Sequence, residues 1–140
     1  MSRRDLVNAY REWLTSYAWN WFGVLTFRGY PSATKAKRVF DVWIAEIEQD
    51  YGTNDFRWVR VKEYGAEYVN LHFHVLVGGL YLRPACRQKA MFRWQELAGE
   101  ANIFSFVGHL NGISYILKTV RPGQDFEIDF RLQPAAKVRS

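Results

Sequence analysis

The sequence predicts an α+β domain with a ferredoxin-like split β-α-β arrangement around a central antiparallel sheet. Three observations lead there. After a first helical segment, the elements read strand, helix, strand, strand, helix, strand. The run Leu71-His72-Phe73-His74-Val75-Leu76-Val77 alternates as a strand does. The 140 residues, 49% of them hydrophobic, suffice for one core and are too few for two ordinary domains. Residues 1–140 therefore read as a single domain, with 133–140 as a polar, flexible tail.

Each element has its own local signal. Between Arg3 and Tyr17, Leu6, Tyr10, Trp13, Leu14 and Tyr17 recur at helical spacing, an extra N-terminal helix outside the split β-α-β. Trp19 to Phe27 is apolar on both faces, as in a central strand covered on both sides. Arg28-Gly29-Tyr30-Pro31 breaks it. Ser32 caps a long helix with Phe40, Trp43, Ile44, Ile47 and Tyr51 on one stripe, and Gly52 ends it. Phe56 to Glu63 is the second strand, 64–70 a loop, and Leu71 to Val77 the third strand, the two strands forming a hairpin. Pro84 suits the first turn of a helix with Ala90, Met91, Trp94 and Leu97 on its apolar stripe, closed by Gly99. Asn102 to Val107 is the fourth strand. Asn111-Gly112 opens a short helix that runs to about Val120, before Pro122-Gly123. Asp125 to Leu132 alternates weakly, which marks a late strand. In this order the first and third strands lie centrally, so His72 and His74 sit in mid-sheet.

Composition narrows the partners. No apolar run reaches membrane-spanning length, and Met1-Ser2-Arg3-Arg4-Asp5 is unlike a signal peptide, so no membrane partner is expected and the compartment is read as cytoplasmic. The lone Cys86 excludes an internal disulfide and a cysteine-rich zinc module. A net charge of +5, spread along the chain, suits a polyanion. Trp19, Trp21, Tyr30, Trp58, Tyr64 and Tyr68 interleave with Arg28, Arg57, Arg60 and Lys62. That mixture suits single-stranded nucleic acid, whose bases stack and whose phosphates pair, and it makes these four bases the candidate DNA contacts.

The chemistry centres on His72 and His74. Residues two apart on a strand share a face, and imidazole is the commonest metal-ligating side chain. A third ligand is expected from Glu63, at the end of the strand that pairs with the histidine strand, with Glu67 in the intervening loop as its rival. Directly opposed residues of an antiparallel pair share a face. Alternation puts Glu63 with Val59 and Val61, leaving Trp58, Arg60 and Lys62 opposite. That implies either an edge strand with its long bases snorkelling outward or a bulge that resets the phase. Two histidines and a carboxylate suit several divalent metals, including the iron of non-haem oxygenases, although the helix-rich order is unlike those double-sheet proteins. Farther on, Tyr115 and Lys118 are three apart and share a helix face. A phenol with a free pKa of about 10 needs a nearby cation to become a nucleophile. His109, just before this helix, is placed to donate to a phosphate.

Three segments, in this order, resemble the motifs of Rep-type HUH endonucleases, the rolling-circle replication initiators of plasmids, phages and small circular DNA viruses. Val24-Leu25-Thr26-Phe27 resembles their first motif, His72-Phe73-His74-Val75-Leu76-Val77 the second, and Tyr115-Ile116-Leu117-Lys118 the third. The resemblance runs from about Trp19 to Val120. Relaxases place the tyrosine before the histidines, so the order favours the Rep branch. The resemblance implies a ferredoxin-like fold, a divalent metal (Mn²⁺ or Mg²⁺) on His72, His74 and Glu63, and nicking of single-stranded DNA at a replication origin, most often a hairpin. Tyr115, on a C-terminal catalytic helix, would be the nucleophile, and Lys118 would orient phosphate or metal. The expected setting is the cytoplasm of a plasmid or phage host, or the nucleus for a eukaryotic virus. No Gly-x-x-x-x-Gly-Lys-[Ser/Thr] loop occurs in the chain, so a separate helicase is an expected partner. Two other readings stay open. One is a single-tyrosine HUH transposase. The other is a non-catalytic single-stranded nucleic-acid-binding domain, of the kind that displays aromatics on its sheet face.

Overall fold

A computed structural model describes residues 2–64, 71–106, 111–117 and 127–132. The loop carrying Glu67, together with His109, Lys118 and the 133–140 tail, lies outside the described residues. The element order is α1 (Arg3–Thr15), β1 (Trp21–Thr26), α2 (Ala33–Tyr51), β2 (Gly52–Tyr64), β3 (Leu71–Leu80), α3 (Cys86–Leu97), β4 (Ala101–Ser105), α4 (Asn111–Leu117) and β5 (Glu127–Arg131). The fold is α+β. Its sheet has the order β4-β1-β3-β2-β5, and every neighbouring pair is antiparallel. Among the described residues no helix is long and apolar enough to cross a membrane.

Local chemistry accounts for most boundaries. Ser2 and Asp5 form a reciprocal capping box at the start of α1. Ser32 caps α2 by accepting from the Lys35 amide. Gly52 ends α2 in an extended conformation, so the chain passes directly into β2, which begins earlier than its apolar residues indicate. A register shift between Gly52 and Arg57 absorbs this early start. At the same end β3 continues through Gly78 and Gly79 to Leu80. Gly79 has φ +71, and a Cβ there would lie 2.2 Å from the Asp55 carbonyl oxygen, so only glycine lets the two strands approach. The helix expected from Pro84 starts instead at Cys86, because Ala85 adopts a left-handed conformation with φ 63 that halts helical propagation.

Two apolar clusters cover the two faces of the sheet. Phe40, Trp43 and Ile47 of α2 and Ala90 and Trp94 of α3 pack on Trp21, Leu25, Phe73, Val75 and Val77. On the other face Val7 and Leu14 of α1 and Ile113, Ile116 and Leu117 of α4 pack on Val59, Val61 and Leu76. Two buried indoles carry hydrogen bonds that fix this packing. Trp43 donates to Ala90 O at 2.9 Å, joining α2 to α3. Trp94 donates to Thr26 O at 2.8 Å, tying α3 to the end of β1. Buried Trp keeps its polar atom satisfied in this way and so specifies one packing.

The sheet corrects the expectation for β2, which is neither an edge strand nor out of phase. It lies between β3 and β5, and its register with β3 runs unbroken from Arg57↔Gly78 to Tyr64↔Leu71.

Candidate metal centre

β3 is the middle strand of five, the position least free to move. Its apolar residues Leu71, Phe73, Val75 and Val77 all enter the core under α2 and α3. Phe73 lies edge-on to Phe27 and Phe40, with ring centroids 5.4 and 5.7 Å away. Once that face is fixed, the pleat sends His72 and His74 to the face covered by α1 and α4.

Register then supplies the third group. Glu63 is the direct partner of His72, and Val61 of His74. On the other side β1 sets Thr26 beside His72 and Val24 beside His74. The Nε2 atoms of His72 and His74 lie 3.1 and 2.5 Å from the same Glu63 oxygen, Oε2. The donor atoms of the three side chains all fall within 4.8 Å of one another. His74 is 3% exposed, whereas the His72 and Glu63 side chains keep 22% and 24% of their surface. The centre therefore has a closed floor and an open mouth.

The donor set fits a divalent cation. With metal–ligand distances of about 2.1 Å, adjacent donors of an octahedron stand about 3.0 Å apart. The His72–Glu63 separation already matches. The His74–Glu63 separation needs an opening of about half an ångström, within the reach of a carboxylate rotation. Without a cation each Nε2 contact to a carboxylate requires an Nε2–H, so metal binding replaces protons at these nitrogens.

The end of β1 beside His72 is held from several directions. The Thr26 amide donates to Glu100 O at 2.9 Å, Arg28 N to Ala98 O at 2.8 Å, and Trp94 Nε1 to Thr26 O. Gly99 makes this approach possible, since a Cβ there would sit 2.4 Å from Thr26 O.

The four candidate DNA-contacting bases are not gathered on one surface. Arg28 is exposed in the loop after β1, at the same end of the sheet as the centre. Arg57 shares a face with Glu63 but lies six residues back along β2, about 20 Å away at strand rise. It is half-buried, donates to the carbonyls of Asp55 and Ala18, and lies over the Tyr17 and Trp19 rings. Burial pulls its guanidinium below the ordinary arginine value, opposed by the charges of Asp55 and Tyr17. Arg60 is 3% exposed, with its guanidinium 4.7 Å from the Phe40 ring and 4.9 Å from the Phe73 ring. Arg60 is thus a core cation beneath the histidine strand and not a snorkelling surface base. Lys62, two residues on, falls on the same face as Arg60 and is half-buried.

Tyr115 lies on α4, whose Ile113, Ile116 and Leu117 pack on the sheet face that carries the histidines. Lys118 and Glu67 lie outside the described residues. The sequence spacing had no signal for one contact here. Arg11 of α1 donates to Ser114 Oγ at 3.0 Å across 103 positions, joining the first helix to the residue before Tyr115.

Protein-family models, curated proteins and solved structures were all compared with the chain, and none matches it.

Proposed function

We propose that the chain is a metal-dependent single-stranded DNA nickase of the HUH type that opens a replication origin through a phosphotyrosine. The observation that carries this reading is the convergence of His72 and His74 Nε2 on one Glu63 oxygen, on the sheet face against which α4, the Tyr115 helix, is packed. The strand order β4-β1-β3-β2 supports the ferredoxin-like reading, with β5, α1 and α4 as additions. α2 and α3 cover one face, and the histidines share the other face with α1 and α4.

His72, His74 and Glu63 would hold the cation, and Mn²⁺ and Mg²⁺ are the ions expected. Bound there, it would supply Lewis acidity to a scissile phosphate. The protein's own groups do the rest. The Tyr115 phenol loses its proton and its oxygen attacks phosphorus in line. The bond from phosphorus to the 3′ oxygen breaks, and that oxygen takes up a proton to leave as a 3′-hydroxyl. A phosphodiester is exchanged for a phosphodiester, so the 3′-hydroxyl can later attack the phosphotyrosine and restore the strand. Water as nucleophile would forfeit that reversibility. Lys118, three residues after Tyr115, would steady the phosphate charge.

The test is incubation with a pool of random single-stranded DNA and Mn²⁺, followed by denaturing electrophoresis. An adduct that survives denaturation is expected, mapping to Tyr115 by mass spectrometry. Tyr115→Phe, which removes one oxygen, should bind DNA as before and form no adduct. An adduct on Tyr64, Tyr68 or Ser114 would overturn the assignment.

A further inference from the structure

The loop after β1 and the first turns of α2 form, with the C-terminal end of α3, an open groove. It encloses about 310 Å³ in all. Half-buried Phe27, Val39 and Leu97 line it together with the exposed bases Arg28 and Lys35. Among the described residues no carboxylate lines it. Tyr30, which lines the groove, exposes 80% of its surface and so leaves its ring open to a stacking partner. Arg28 uses one guanidinium nitrogen on Gln95 O at 2.7 Å, which leaves donors for another acceptor. The 19-residue helix α2 also begins here, and its amino end adds positive potential. Apolar side chains, an exposed aromatic and two cations are what a nucleotide requires, a surface for its base to stack on and a partner for its phosphate.

Position argues for a strand rather than a free nucleotide. Arg28 is two residues beyond Thr26, at most about 7 Å of extended chain. Thr26 is paired directly with His72. The groove lies on the α2–α3 side of the sheet, opposite the histidine face, so a strand leaving the Glu63–His72–His74 centre would reach it by passing over the end of β1.

We infer that this groove is a subsite for one nucleotide of single-stranded DNA, with the base on Tyr30 and the neighbouring apolar side chains and the phosphate on Arg28 and Lys35. The inference rests on the single-stranded DNA reading above, but not on nicking. The groove would hold the strand at the end of the sheet where β1 meets the metal centre, while leaving the chemistry to other residues.

The test measures fluorescence anisotropy of a labelled ten-residue oligothymidylate in EDTA, across a salt series. Tyr30 and Lys35 are both exposed, so Tyr30→Ala and Lys35→Ala leave the core untouched. Each should weaken binding about tenfold, the scale of one lost stacking or phosphate contact. Lys35→Ala should also lower the slope of log affinity against log salt by about 0.7. Affinities within twofold of the parent for both variants would overturn the subsite, whatever the adduct assay gives. So would a parent protein that does not bind the oligonucleotide. Weakened variants in a protein that forms no adduct would uphold the subsite and remove only the nicking reading. Thymidine monophosphate binding as tightly as the ten-mer would reassign the groove to free nucleotides and overturn the strand assignment.

Discussion

Replacing His72 by alanine removes one of three converging donors while disturbing the fold less than a change at His74 would, because the His72 side chain keeps 22% of its surface and His74 forms the buried floor. Two effects follow, and they are separable. Without metal, the variant loses one hydrogen bond to a carboxylate, about 1.5 kcal/mol at the lower end of the range for charged partners. For 140 residues, unfolding entropy scales so that 1 kcal/mol moves Tm by about 3–4 °C. The metal-free Tm should therefore fall by about 5 °C. With metal, stabilisation follows RT ln(1 + [L]/Kd), which is about 2.7 kcal/mol when free Mn²⁺ is a hundredfold above Kd. The parent should gain about 9 °C under that condition. Losing even a partner of a metal ligand costs 10–100-fold in affinity, so losing a ligand should cost at least about a hundredfold. At the same Mn²⁺ concentration His72→Ala should then gain only about 1–2 °C. Differential scanning fluorimetry with and without Mn²⁺ reads both numbers. A variant that keeps the full Mn²⁺ shift would refute the three-donor centre, however low its metal-free Tm.

Other expectations follow from the same geometry. Lys118→Ala should slow single-turnover cleavage by about 10²–10³-fold, the size of one lost electrostatic stabiliser, and an unchanged rate would make Lys118 a bystander. Arg60→Ala should cost about 2–4 kcal/mol in urea unfolding, from the cavity and the lost contacts with Phe40 and Phe73, while leaving the salt slope of DNA binding unchanged. A slope lowered by Arg60→Ala would return Arg60 to the DNA surface. The Glu46 carboxyl is held below its ordinary value of 4.5 by its hydrogen bond from Arg93, against the opposing effect of partial burial. A lowered carboxyl value stabilises the fold above the unfolded value and loses that contribution as pH falls through the lowered one. Glu46→Gln should therefore melt slightly below the parent at pH 7, and the gap should close as pH drops below 4.5. A gap that widens in acid would reverse the sign and refute the pairing.

The sequence by itself determined what depends on neighbours along the chain. The alternation of residues 71–77 put His72 and His74 on one face and Phe73 and Val75 on the other, because a strand turns its side chains with a period of two. Ser32 and Gly52 bracketed the long helix through capping and termination, both local events. The adjacency of Glu63 to His72 was legible as a hairpin, since a short loop leaves few pairings open. What lies across the sheet was not legible. Arg60 and Lys62 looked like surface bases because nothing in 56–63 announces that β5 will pair on the outer side of β2 or that Phe40 and Phe73 will close over a guanidinium. Helix α1 meets α4 through Arg11 and Ser114, a contact no spacing rule can encode. Periodicity fixes which residues of one strand face together. Which helices cover that face is decided only when distant segments compete to bury their apolar stripes, and that competition also set His74 in the closed floor of the centre and left His72 and Glu63 at its mouth.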